Sequence, residues 1–141
     1  MPYRPVVGVL LGVAIWWFLF MAVGIGIGAV NPEYRAAAAA MFQADDMSLF
    51  TTPLLLLNWI VFCVAGLVAG FVAALVSKNR LATLLLAGGF LIMMLINHYI
   101  IAWDDFPIWY NLVVPFIIAG LLYLGAAIGN RRFSAGDPET L

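Results

Sequence analysis

Residues 54–77 read LLLLNWIVFCVAGLVAGFVAALVS, without a single Asp, Glu, Lys or Arg. At a rise of about 1.5 Å per residue, a helix of this length crosses the roughly 30 Å hydrocarbon core of a bilayer. Three similar uncharged runs occupy residues 6–30, 81–102 and 108–129. Transmembrane β-strands would be about 10 residues long with strict alternation, which these runs lack. The chain is therefore predicted to be all-α, with four transmembrane helices.

The composition agrees with a membrane location. Of the 141 residues, 66% are hydrophobic and 9% are charged, which is too apolar for a soluble domain. We assign residues 1–132 to one transmembrane domain, and residues 133–141, which have no apolar pattern, to a disordered cytoplasmic tail. The lipid bilayer is therefore the first expected partner. The formal net charge of -1 gives no case for nucleic acid.

The charges between the runs predict the orientation of the helices. The N-terminus, the second connection and the C-terminus hold five of the six basic residues: Arg4, Lys78, Arg80, Arg131 and Arg132. The first and third connections hold five of the seven acids: Glu33, Asp45, Asp46, Asp104 and Asp105. Because short loops rich in Lys and Arg stay in the cytoplasm, we predict an antiparallel bundle with both termini cytoplasmic. The first run exceeds the roughly 7–15 apolar residues of a cleaved signal peptide, so we expect a retained signal anchor.

Two connections carry signals for helix ends. The long first connection begins with Asn31 and Pro32 and continues into an alanine-rich segment, which predicts a short helix over about residues 32–43 at the outer interface. Asn79 lies in a tight connection between two basic residues, and asparagine is a favoured residue for capping the start of a helix. We therefore expect Asn79 to cap the third span.

Small residues recur along the second run at alternating spacings of three and four. They are Cys63, Gly66, Gly70, Ala73 and Ser77. In lipid, small residues allow two helix backbones to approach closely, and the glycines form a GxxxG pair. This pattern predicts a packing face along the helix. It fits packing within the bundle, and it also fits an interface between subunits. Further pairs with the same spacing occur at Gly8/Gly12, Gly24/Gly28 and Gly125/Gly129.

Polar side chains inside the runs are few and lie toward the outer half of the predicted membrane. They are Asn58, Asn97, His98 and Asn111. We predict that they converge on one outward-facing polar pocket. A structural hydrogen-bonded cluster and a site for a ligand, a proton or a quinone are both open interpretations. Because His98 is the only histidine, a haem with two axial histidines would need a second subunit, and zinc would need further ligands.

The pattern of motifs excludes several classes of enzyme. The sequence has no CxxC, Walker loop, HExxH or GxSxG, and no paired carboxylates within a run. We therefore expect a non-enzyme without a metal or cofactor, acting as an accessory or scaffolding subunit with other membrane subunits or with itself. A small transporter or channel using the polar pocket is the alternative, and a haem- or quinone-binding redox subunit is a third possibility.

The layout of these features resembles a loose group of small uncharacterised bacterial four-span inner-membrane proteins. The resemblance rests on five features: Asn31-Pro32, Ala65-Gly66-x-x-Ala69-Gly70, Lys78–Arg80, Pro107-x-Trp109-Tyr110 and Gly125/Gly129. They are spread over most of the chain. The resemblance implies a four-helix bundle in the inner membrane, and it implies no particular activity.

Overall fold

The computed structural model describes residues 3–44, 46–101 and 103–134, and within them the fold is entirely helical. The five α-helices are α1 (Arg4–Val30), α2 (Pro32–Ala44), α3 (Thr52–Ser77), α4 (Arg80–Ile96) and α5 (Ile108–Ser134). A π-helical turn, Asn97–Ile101, extends α4. No strand occurs among these residues, so the predicted all-α class is confirmed.

Four of the helices are long and apolar enough to cross a membrane. They are α1, α3, α4 with its π-helical turn, and α5 as far as Arg131. This finding supports a multi-pass membrane protein. The short helix α2 matches the segment predicted over about residues 32–43. Helix α5 includes residues 133 and 134, which the sequence assigned to the tail. The rest of that tail and Ala102 lie outside the described residues.

Helices α3 and α5 form the centre of the bundle, with α1 and α4 packed around them. Leu55 and Ala69 of α3 and Val114 and Leu122 of α5 are almost fully buried. On the other side of α3, the indole of Trp16 stacks on Phe62 with ring centroids 5.3 Å apart. Trp16 is buried inside this chain, and its Nε1 has no partner among the described residues.

Asn31 forms the corner between α1 and α2. Its backbone ends α1, and its Oδ1 accepts a hydrogen bond from Tyr34 N at 3.0 Å, which caps α2. From α2, Arg35 Nε donates to the carbonyl oxygen of Gly28 at 2.6 Å. That carbonyl is one of the last four of α1, which have no partner within their own helix. The two side chains thus fix the angle between the helices.

The turn between α3 and α4 is closed by Lys78 and Asn79. Lys78 has φ 49° and ψ 34°, a left-handed conformation that stops α3. Asn79 Oδ1 accepts hydrogen bonds from Leu81 N at 2.8 Å and Ala82 N at 3.4 Å. The predicted cap of the third span is confirmed. The turn brings Lys78 and Arg80 to the same end of the bundle.

Candidate functional site

The small residues of α3 pack against two different helices of the same chain. A Cβ added at Gly70 would overlap the carbonyl oxygen of Leu122, and one added at Gly66 would lie 3.5 Å from the carbonyl oxygen of Ile118, both in α5. Gly70 is therefore in backbone contact with α5. Cys63, which the sequence grouped with these glycines, is only half-buried.

Ala73 and Ser77, the last two of these small residues, face α1 instead. A Cβ added at Gly12 would lie 3.0 Å from the Cβ of Ala73, and one added at Gly8 would meet the Cβ of Ser77. The single packing face expected from the spacing is therefore divided between two neighbours. The physical reason is that α3 lies between α1 and α5, so residues at the edges of one helix face contact different helices.

A polar cluster forms where α2 meets the N-terminal ends of α3 and α5. The hydroxyl of Tyr34 donates to Asn58 Oδ1 at 3.0 Å. Tyr110 of α5 also lies near Asn58. Asn58 is 6% exposed and Tyr110 is 1% exposed. Burial raises the pKa of Tyr34 above its ordinary value of 10.0, so this hydroxyl stays protonated and can donate.

His98 and Asn111 form the second half of the cluster. His98 Nδ1 lies 3.0 Å from Asn111 Oδ1. Asn111 Nδ2 donates to the carbonyl oxygens of Trp103 at 2.9 Å and Phe106 at 3.3 Å. Those two bonds fix which end of the amide faces His98. Because an amide oxygen only accepts, His98 Nδ1 carries the proton and donates, which leaves Nε2 as the unprotonated nitrogen of the neutral ring.

Aromatic rings connect the two halves of the cluster. The ring of Tyr110 lies 5.7 Å from that of His98, and Phe106 stacks on Tyr110 at 5.0 Å. His98 is 4% exposed and Asn111 is fully buried. The structure thus brings together Asn58, His98 and Asn111 as neighbours in one cluster, closed by aromatic side chains.

Asn97 does not join the cluster, and its inclusion in the predicted pocket is corrected. Its side chain is exposed, whereas that of the next residue, His98, points into the bundle. Neighbouring residues of a helix point in different directions, so only one of the two can face inward. Both lie in the π-helical turn that extends α4. Such turns occur often at functional sites.

Sequence reasoning missed two members of the cluster, Tyr34 and Tyr110. Tyr110 lies between Pro107, which precedes α5, and Asn111. Its position in the sequence therefore placed it near the cluster but did not show which way its side chain faces. Tyr34 lies between Glu33 and Arg35 in α2, just before the alanine run. Its hydroxyl was a signal for a polar contact, but the packing of α2 onto the bundle could not be derived from that segment.

An apolar pocket of about 520 Å³ lies beside this cluster, between α1 and α2. Tyr34 and Phe50 lie at its wall together with Phe20, Met21 and Ala38.

Among the residues that the structure describes, no three His, Cys, Asp or Glu side chains are grouped as a metal site. Comparison of the chain with protein-family models, curated proteins and solved structures found no match.

Proposed function

We propose that this chain is a non-catalytic accessory or scaffolding subunit of a bacterial inner membrane, assembled with itself or with other membrane subunits. The observation that carries the proposal is the state of the polar cluster. Its three sequence-predicted members, Asn58, His98 and Asn111, are at most 6% exposed and are hydrogen-bonded within the chain. Groups engaged in this way stabilise the fold and are not presented to a passing solute, which favours a structural role over transport.

The proposed arrangement is an antiparallel bundle with both termini in the cytoplasm. The order of contacts supports it, since Gly8 meets Ser77 whereas Gly12 meets Ala73. Residue numbers therefore rise along α1 as they fall along α3. The basic residues of the turn at Lys78 and of the end of α5 support the same orientation, because such residues are retained in the cytoplasm.

Single cysteines test the orientation. On a Cys63→Ala background, Leu49→Cys in the connection before α3 should react with an impermeant maleimide added outside the cell. Tyr3→Cys at the other end of the bundle should react only after the membrane is opened. Both positions are well exposed, at 48% and 75%, so access does not limit the reaction. Labelling in the reverse order would contradict the proposed topology.

The proposed partner contact is sought on α1 and α4, the least buried of the four spans. In the apolar stretches of α1 and α4, only 22% and 28% of the residues are buried inside the chain, against 44% in α3 and α5. A photo-crosslinking residue is placed at Phe18 of α1 or Leu85 of α4, which are 69% and 64% exposed. Buried Phe90 serves as the control position. A discrete protein adduct from one exposed position, either a dimer or a complex of fixed mass, supports a subunit.

Absence of a protein adduct from both exposed positions in native membranes would count against the subunit role. A visible spectrum of the gently purified protein is the companion measurement. A haem absorption band would contradict the proposal directly and would point to His98 as a ligand.

A further inference from the structure

A pocket of about 720 Å³ opens between the start of α4 and the end of α5. Three basic side chains line it, those of Lys78, Arg80 and Arg131. None of the described residues that line the pocket is acidic. This end of the bundle therefore gathers positive charge around a cavity.

Local structure explains why these cations converge. The left-handed Lys78 and the cap at Asn79 reverse the chain, which brings Arg80 beside the end of α5. Arg131 lies in the last turn of α5, where a cation is favoured by the helix dipole. The backbone amides at the start of α4 are already bonded to Asn79 Oδ1. Attraction for an anion therefore comes from the basic side chains and not from the helix terminus.

The wall of the pocket changes from polar to apolar along the helices. Leu84 and Leu124 line it and are each about half exposed, at 51% and 49%. Leu84 lies four residues into α4 from Arg80, about 6 Å along the axis, and Leu124 lies seven residues into α5 from Arg131, about 10 Å. An anionic phospholipid has the same order of chemistry, with a charged phosphate at the interface and acyl chains deeper in the membrane.

We propose that this pocket binds a phosphate-bearing anion, presented as the headgroup of an anionic phospholipid. Arginine donates paired hydrogen bonds to phosphate oxygens, and basic pockets between transmembrane helices on the cytoplasmic side bind such headgroups. Free phosphate offers the same anion without the acyl chain, so the test separates the two sources. The inference rests on membrane insertion of α4 and α5, and it does not depend on a partner protein.

Thermal unfolding of the purified full chain in nonionic detergent tests the pocket. Phosphatidylglycerol is titrated in, with phosphatidylcholine of the same acyl chains as the matched lipid. Phosphatidylglycerol should raise the Tm in a saturable manner, and phosphatidylcholine should not. Arg80→Gln and Arg131→Gln should each weaken the apparent affinity about fivefold, the effect of losing one cation near the headgroup. Arg4→Gln makes the same charge change outside the pocket and should leave the affinity unchanged.

Two results would overturn the proposal. One is equal stabilisation by the two lipids, and the other is an equal loss of affinity in Arg4→Gln and Arg80→Gln, which would indicate diffuse attraction. Glycerol phosphate distinguishes the sources. If it raises the Tm with the same dependence on Arg80 and Arg131, the pocket accepts a soluble phosphate without acyl chains; if it has no effect while phosphatidylglycerol does, the lipid form is required. Both outcomes support the phosphate site.

Native mass spectrometry gives a measurement that needs no variant to fold. Phosphatidylglycerol should stay bound to the natural chain at collision energies that remove phosphatidylcholine. Release of both lipids at the same energy would contradict a specific site.

Discussion

The two halves of α3 are held in the bundle by different forces. In the N-terminal half, Asn58 Oδ1 accepts a directional hydrogen bond from the hydroxyl of Tyr34. In the C-terminal half, Gly70 touches the backbone of α5 at Leu122 with no side chain between them. The first half is fixed by matching donors to acceptors, and the second by how closely two helices can approach.

This difference shows how a small bundle obtains stability where the hydrophobic effect gives little. Lipid tails are as apolar as the helices, so burying Leu or Val against a neighbour adds little driving force. Close backbone contact gains dispersion energy along a whole helix, but it leaves sliding and rotation weakly specified. Each hydrogen bond adds little energy, yet it can form at only one rotation of the helix about its own axis. The C-terminal half of α3 therefore contributes most of the packing energy, and the N-terminal half determines the orientation of the helix.

The largest expected effect comes from filling the glycine contact. Gly70→Leu in α3 or Gly125→Leu in α5 would place side-chain atoms on the carbonyl oxygens of Leu122 and Leu67. Backbone cannot rotate away as a side chain can, so we expect a loss of about 3 kcal/mol in the free energy of unfolding. Unfolding in mixed micelles with increasing sodium dodecyl sulfate measures it.

Gly120→Leu is the matched control for that measurement. Gly120 lies on α5, and no described atom beyond its chain neighbours and its own helix backbone lies within 4 Å of a Cβ added there. Its free energy of unfolding should change by no more than about 0.5 kcal/mol. Equal losses at positions 120 and 125 would show that close approach does not hold the C-terminal half of α3.

The second prediction concerns the polar cluster that adjoins the N-terminal half of α3. Asn111→Ala removes the partner of His98 and of the carbonyl oxygens of Trp103 and Phe106. Buried groups left without partners should cost about 2 kcal/mol of unfolding free energy. Asn97→Ala, on an exposed side chain, should leave stability unchanged in the same assay. Similar free energies of unfolding for the two alanine variants would show that the polar cluster does not stabilise the bundle.

The third prediction concerns the turn that follows the glycine contact. Asn79→Ala removes the acceptor for Leu81 N and Ala82 N, and it should cost about 1 kcal/mol, the usual value for a lost helix cap. Asn79→Ser keeps a capping oxygen and should recover most of that loss. Circular dichroism during thermal unfolding compares the two. If serine fails to restore stability, the asparagine acts through something other than its cap.

The smallest effect is the coupling between Tyr34 and Asn58. A double-mutant cycle with Tyr34→Phe and Asn58→Ala should give about 0.6 kcal/mol, as for other hydrogen bonds between membrane helices. Because burial raises the pKa of Tyr34 in the folded protein, its contribution is fully present below pH 10.0 and is lost only as the pH rises through the raised value. The coupling should therefore be equal at pH 7 and pH 9, and a fall between them would contradict it.

Much of the helical layout could be predicted because charged side chains are unfavourable in the lipid interior. Runs free of Asp, Glu, Lys and Arg gave the four long helices, since an ionised group at the bilayer centre is costly. Asn79 could be assigned as a cap because its side-chain chemistry acts on the two or three residues that follow. Such local interactions are readable from a single sequence.

Contacts between residues that are far apart in the sequence could not be predicted in the same way. The spacing from Gly66 to Ser77 predicted a packing face but not that its members meet α5 at one end and α1 at the other. Asn97 and His98 are adjacent and equally polar, and only the packed structure shows which one points inward. Tyr34 reaches Asn58 through the corner at Asn31, which depends on two helices at once.

The contact of Gly8 with Ser77 has a consequence for biosynthesis. The ribosome makes the chain from its N-terminus, so α1 is complete long before the end of α3 emerges. At roughly 5–20 residues per second, the ~70 residues between those positions take on the order of several seconds to synthesise. During that interval the glycine face of α1 has no helix to pack against. The first span must therefore remain in the membrane on its own hydrophobicity, and its packing has to wait for the second span to arrive.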